Sequence, residues 1–133
     1  TMYYMETNDT AEDDPEYYTG EIKDFMPNGY GVLTFRNGNV YSGNFNDGYK
    51  NGEGIFTFPN GTYYKGTWIN DSLNGEGVFY DAPSNIAFYG NFINSGFNGV
   101  VTIYDNNNDI YAYAYYENGE FKNMLGYDFN GSN

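Results

Sequence analysis

From Val40 to Phe45 the chain alternates Tyr41, Gly43 and Phe45 with Val40, Ser42 and Asn44, the two-residue period of a strand whose successive side chains point to opposite faces. Asn46-Asp47-Gly48 follows with residues that favour a tight turn. Beyond it, Gly52, Gly54, Phe56 and Phe58 fall on one face and Glu53, Ile55 and Thr57 on the other, until Pro59-Asn60-Gly61 turns the chain back. This pattern predicts a β-hairpin.

The hairpin recurs. Tyr-x-Gly stands at Tyr18-Thr19-Gly20, Tyr41-Ser42-Gly43 and Tyr64-Lys65-Gly66, with Phe88-Tyr89-Gly90 as a fourth copy, in steps of 23, 23 and 24 residues. A second marker keeps the same steps: Asn28-Gly29-Tyr30-Gly31, Asn51-Gly52-Glu53-Gly54, Asn74-Gly75-Glu76-Gly77 and Asn98-Gly99-Val100-Val101. Two markers on one period define an array of supersecondary units. Asn37-Gly38 and Pro83-Ser84-Asn85 supply the turns between units, the latter carrying the extra residue of the longer step.

Gly inside a strand weakens it unless a neighbour needs the space. Here the neighbour is expected to be aromatic, a Tyr or Phe ring laid across the Gly of the adjacent strand so that it covers backbone and lets the sheet coil. For Tyr41, Phe45, Tyr64, Trp68, Phe88 and Phe92 this holding role is as good an expectation as a binding role.

The order Tyr-x-Gly-x-aromatic, Asn-Gly-x-Gly, then Asn-Gly before the next unit resembles the MORN (membrane occupation and recognition nexus) repeat. The likeness is clearest over residues 18–63, good to residue 80 and degenerate from 85 to about 108, by the repeat-counting argument. Ile22 stands where the pattern has an aromatic, Val101 where it has the second Gly, and Tyr111-Ala112-Tyr113 has Tyr at the Gly position. Such departures suit terminal caps. The resemblance implies an all-β, elongated, single-layer antiparallel hairpin meander of about four units, curved so that its aromatic/Gly side is a groove, in proteins that act as scaffolds or adaptors.

Composition agrees with the pattern and removes other possibilities. The 133 residues include 18 Gly, 17 Tyr, 11 Phe and 21 Asn, a mixture poor for helices and good for sheets and turns. A formal charge of −13 disfavours nucleic acid and direct contact with anionic lipid. There is no Cys and no His, so thiolate chemistry and the commonest general base and metal ligand are missing. No apolar run reaches the length of a spanning helix and the first residues do not read as a secretory signal, so the sequence reads as soluble. Glu6, Asp9, Glu12, Asp13, Asp14 and Glu16 come with no base, which predicts an acidic, disordered tail over residues 1–16. The array is expected over 17–110. Residues 111–133 are expected to hold a capping hairpin, with Asn118-Gly119 at its turn, and a short tail.

The expected groove is lined by Tyr18, Tyr41, Phe45, Tyr64, Trp68, Phe88 and Phe92 from first strands and by Leu33, Phe56, Phe58, Phe79 and Ile103 from second strands. Tyr and Trp combine broad apolar area with a hydrogen-bonding tip, as interface hot spots require. The expected function is a non-catalytic adaptor, without cofactor or metal, holding an apolar, basic, amphipathic segment of another protein, in a cytoplasmic, cytoskeletal or membrane-associated assembly. An aromatic repeat that binds carbohydrate or choline is the alternative, weakened by the single Trp. A glycosidase pair would have to be Glu53 and Glu76, which fall on the face opposite the Tyr series. Asp105-Asn106-Asn107-Asn108-Asp109 has calcium-loop oxygens but Ile110 at the sixth position, where a Gly is required, and reads as a hairpin loop.

Overall fold

A computed structural model describes residues 2–6 and 15–129 of the chain. They form twelve strands and, among the described residues, no helix: β1 (Met2–Glu6), β2 (Pro15–Lys23), β3 (Met26–Phe35), β4 (Val40–Asn46), β5 (Tyr49–Thr57), β6 (Tyr63–Ile69), β7 (Ser72–Asp81), β8 (Ile86–Ile93), β9 (Gly96–Phe97), β10 (Gly99–Asp105), β11 (Ile110–Glu117) and β12 (Glu120–Phe129). Each pairs antiparallel with the next along one sheet, except that β9 pairs β8 alone and β8 goes on to pair β10. β1 and β12 are the two ends, and the meander does not close. The four repeats are the hairpins β2–β3, β4–β5, β6–β7 and β8–β9/β10, and β11–β12 adds a fifth hairpin at the end.

Register explains both sequence markers. The first Gly of each of the first three repeats pairs with the second: Gly20 with Gly31, Gly43 with Gly54, Gly66 with Gly77. Second glycines pair onward with the next repeat, Gly31 with Gly43, Gly54 with Gly66 and Gly77 with Gly90. The result is one glycine row across seven strands, which ends where Val101 stands. A ring can lie flat only over such a row. Tyr18 covers Gly31 and Tyr41 covers Gly54, where any Cβ would collide with the ring.

The Asn-Gly of the second marker is a bulge and not a turn. Gly43 pairs with Gly54 but Phe45 already pairs with Lys50, so Asn51 and Gly52 are two extra residues in β5. Gly52 takes a left-handed φ of 107° to make this possible. The first and third repeats repeat the shift, and in the fourth the strand breaks at Asn98 into β9 and β10. Bulges add local twist and bend, so one at the same place in each unit coils the ribbon.

Each bulge Asn also links its unit to the next. The Oδ1 atoms of Asn28, Asn51, Asn74 and Asn98 accept the backbone N–H of Asp47, Asn70, Asn94 and Asn118, at 2.9, 3.2, 3.0 and 3.1 Å. Beside each, the following turn residue donates to a carbonyl one unit back: Gly48 to Pro27, Asp71 to Lys50, Ser95 to Leu73 and Gly119 to Phe97. The turn N–H groups that a lone hairpin leaves to water are thereby satisfied.

The first residues differ from expectation, whereas the expected capping hairpin is β11–β12. Met2–Glu6, assigned by its sequence to an acidic disordered tail, pairs with β2 from Met2 opposite Glu21 to Glu6 opposite Tyr17, and β2 itself begins at Pro15. An unpaired sheet edge is a template for any adjacent β-prone segment, and Met-Tyr-Tyr-Met is one. Acidic positions 9 and 12–14 lie outside the described residues. At the other end, the segment from Met124 continues β12 as far as Phe129, paired with β11 around two irregularities.

Candidate functional site

All twelve expected groove residues lie on one face. Opposite partners share a face in an antiparallel pair, and the row Tyr18, Leu33, Tyr41, Phe56, Tyr64, Phe79, Phe88, Ile103 is continuous through the registers of β2 to β10. Phe45, Trp68 and Phe92 follow across the glycine row. Phe58 follows Phe56 at 5.3 Å between ring centroids.

Burial then splits them into two layers. Tyr18, Tyr41, Phe45, Trp68 and Phe92 are between 0 and 6 % exposed and form a floor. Their polar tips are tied to backbone. Tyr18 Oη donates to Glu21 O at 2.6 Å, Tyr41 Oη to Asn44 O at 2.9 Å and Trp68 Nε1 to Gly54 O at 3.0 Å. Leu33, Phe56, Phe58, Tyr64, Phe79, Phe88 and Ile103 are half-buried and form the accessible layer above it.

Tyr64 marks the change. It has the sequence position of Tyr18 and Tyr41, yet Leu73 occupies the space over Gly66 and the Phe92 ring lies over Gly77. Tyr64 therefore stands against Phe79, at 4.7 Å between centroids, and Phe58, at 6.2 Å. Three hollows of about 560, 310 and 230 Å³ meet at its side chain.

Sequence reasoning missed Leu73, Phe97 and Val101 in the floor and Lys50 beside it. The period held the signal. Pro27, Lys50, Leu73 and Phe97 follow one another in steps of 23, 23 and 24, so Lys50 is a charged residue in an otherwise apolar series. Its Nζ stands 5.7 Å from the ring centroids of Tyr41 and Trp68, 5.9 Å from that of Phe56 and 3.5 Å from Asp71 Oδ1.

The opposite face carries Glu53 and Glu76, both exposed, with Lys65 in the same hollow. Glu53 accepts the Thr67 hydroxyl at 2.8 Å. Asp105 spends its carboxylate on its own loop, accepting the N–H groups of Asn107 and Asn108 and the side-chain amide of Asn108; these bonds hold its pKa below the usual value.

Burial raises the pKa of Tyr18, Tyr41 and Tyr64, and for Tyr41 the carboxylates of Asp71 and Glu53 add to it. A raised folded-state value means that these phenols contribute full stability below their unfolded pKa, near 10.0, and lose it as pH rises past that. The protein is expected to lose melting temperature steeply above about pH 10, and Tyr41→Phe to lose less over the same range while starting about 1 kcal/mol lower for its missing hydrogen bond. Melting curves with tyrosinate absorbance from about pH 9 to about pH 11.5 check this; equal slopes for the two proteins would contradict it.

An open array of antiparallel hairpins with a continuous aromatic face defines a β-hairpin repeat protein. Three consecutive matches to the MORN repeat model, over residues 18–40, 41–63 and 64–85, together cover half of the chain. The chain belongs to the MORN repeat family, whose repeats commonly serve as modules of protein or membrane interaction. No curated protein matches it.

Proposed function

We propose that the chain is an adaptor whose half-buried rings receive one apolar face of an amphipathic, basic segment of another protein. The observation that carries this reading is the unsealed upper layer of the aromatic face, where three hollows join at Tyr64. The floor beneath is buried and its polar tips are hydrogen-bonded, so the guest meets preformed ring surfaces, which lowers the cost of ordering on binding. A formal charge of −13 selects for a basic guest and speeds encounter. The reading suits an intracellular protein, either cytoplasmic or part of a cytoskeletal or membrane-associated assembly.

A designed peptide of about 25 residues, long enough as a helix to cross the hairpins, with a Leu stripe and a Lys-rich polar face, is the probe. Tyr64→Ala and Phe58→Ala are each expected to weaken its binding by about 1 to 3 kcal/mol. Tyr63→Ala, on the opposite face, is expected to leave it unchanged. Calorimetry in which all three variants bind alike, with melting intact, rejects the reading.

A further inference from the structure

Lys50 shows what the centre of the groove can hold. Its ammonium is enclosed by the rings of Tyr41, Phe56 and Trp68 and by the Asp71 carboxylate, an arrangement suited to alkylated ammonium ions because ring faces attract a cation without having to strip its hydrogen bonds. We propose that this cage is a receptor for a trimethylated lysine of the groove's guest, and that Lys50 is the resident side chain which that guest displaces. The inference rests on the groove reading and adds the guest's chemistry at one point.

Four observations carry it. The cage is wide for its occupant. At 5.7 to 5.9 Å from three centroids, Nζ stands near the outer limit of about 6 Å for a cation–π contact. Methyl groups ~1.5 Å from the nitrogen would bring carbon within about 4 Å of the rings, which is contact distance. Second, the carboxylate does not depend on the ammonium. Asp71 Oδ1 accepts the backbone N–H of Lys50 at 2.7 Å, and Asp71 N–H donates to Lys50 O at 3.0 Å, so the acid stays when the ammonium leaves. Third, the site has a mouth, a hollow of about 310 Å³ bordered by Lys50, Phe56, Trp68 and Asp71. Finally, it occurs at one place in the array. The equivalents of Lys50 are Pro27, Leu73 and Phe97, and those of Asp71 are Gly48, Ser95 and Gly119, so this is a single reading point and not the row of cages of a choline-binding module.

Trp68 is the one Trp of the chain and reports on the cage directly. Titrating the protein with N-acetyl-Nε-trimethyllysine amide is expected to change Trp68 fluorescence saturably. Lys50→Ala is expected to lower the half-saturating concentration about tenfold by removing the competitor. Asp71→Asn, which keeps the acceptor for the Lys50 N–H and loses the charge, is expected to raise it about fivefold. The neutral carbon isostere of the probe, with a tert-butyl end, is expected to give no saturable change. Equal titration by the isostere, or no gain from Lys50→Ala, overturns the proposal. If Lys50→Ala loses its melting transition, Lys50→Gln takes its place under the same criterion. Co-sedimentation of the parent with phosphatidylcholine vesicles would assign the cage to a lipid headgroup and overturn the side-chain assignment. The amphipathic peptide separates the two readings. If it binds in a Tyr64-dependent way while the ammonium probe fails in every protein, the cage alone is wrong. If Tyr64→Ala leaves peptide binding unchanged, the groove reading falls first.

Discussion

Gly43→Ala is expected to destabilise the protein by about 3 kcal/mol, at the upper end of the usual cost of overpacking. A Cβ at Gly43 would stand 2.5 Å from Gly54 Cα, 2.6 Å from Glu53 O and 2.8 Å from Tyr41 Oη. Two of these atoms are backbone of the paired strand, which cannot swing aside as a side chain can. The strands would have to part in the middle of the glycine row, and the Tyr41 ring and its bond to Asn44 O would move with them. Gly48 provides the contrast. It is a turn glycine at a φ of 85° with only Met26 Sδ nearby, at 3.9 Å, and Asn tolerates that conformation. Gly48→Asn is therefore expected to cost no more than about 1 kcal/mol, for the left-handed backbone alone. Urea unfolding of the two variants checks the pair. A Gly43→Ala protein that unfolds at the parent's midpoint would mean that the row does not set the strand spacing.

Trp68→Ala is expected to cost about 3 to 5 kcal/mol, the range for emptying a buried aromatic site. The indole is 6 % exposed, packs edge-on to Tyr41 with centroids 5.5 Å apart, and satisfies Gly54 O. Removing it leaves a void under the groove and takes one hydrogen bond from Gly54 O. Trp68→Phe keeps most of the apolar volume and is expected to cost about 1 to 2 kcal/mol, chiefly for the lost hydrogen bond. Tyr64→Ala should cost much less than Trp68→Ala, because Tyr64 is half-exposed at the junction of the hollows. Guanidinium unfolding of the three variants tests whether floor and surface are separate layers; a Tyr64→Ala loss equal to that of Trp68→Ala would merge them. The same distinction governs binding experiments. Loss of a partner on Trp68→Ala would report on folding as much as on contact, whereas Tyr64→Ala and Phe58→Ala address the surface alone.

The hairpins were legible because strand period and turn chemistry are local properties. Val40 to Phe45 alternates, Asp47-Gly48 turns, and Pro59-Asn60-Gly61 turns back, all without reference to distant residues. The partnership of Tyr and Gly was legible for the same reason, since a glycine repeated inside a strand asks for a covering neighbour. Depth was not legible. Tyr18, Tyr41 and Tyr64 stand in the same local sequence, and only Leu73, from the second strand of Tyr64's own hairpin, and Phe92, from the next hairpin, decide that the first two lie flat and the third stands up. The bulge asparagines were visible as a marker but not in their role, because their partners are 19 or 20 residues further on. Lys50 is inconspicuous because it breaks an apolar series that appears only when the repeats are aligned position by position. The first strand was hidden by the acids around it, which drew attention away from Met-Tyr-Tyr-Met.

The asparagine links also bear on how such a chain can change its length. Every unit offers its successor the same acceptor in the same position, so removing the stretch 41–63 would bring Asn28 to face Asn70 as it now faces Asp47. Insertion of one more copy would be received equally well. A cut at any other spacing would leave a donor facing nothing. Lineages of this protein should therefore lengthen or shorten their ribbon in whole modules, and the reach of the surface offered to other molecules is quantised accordingly.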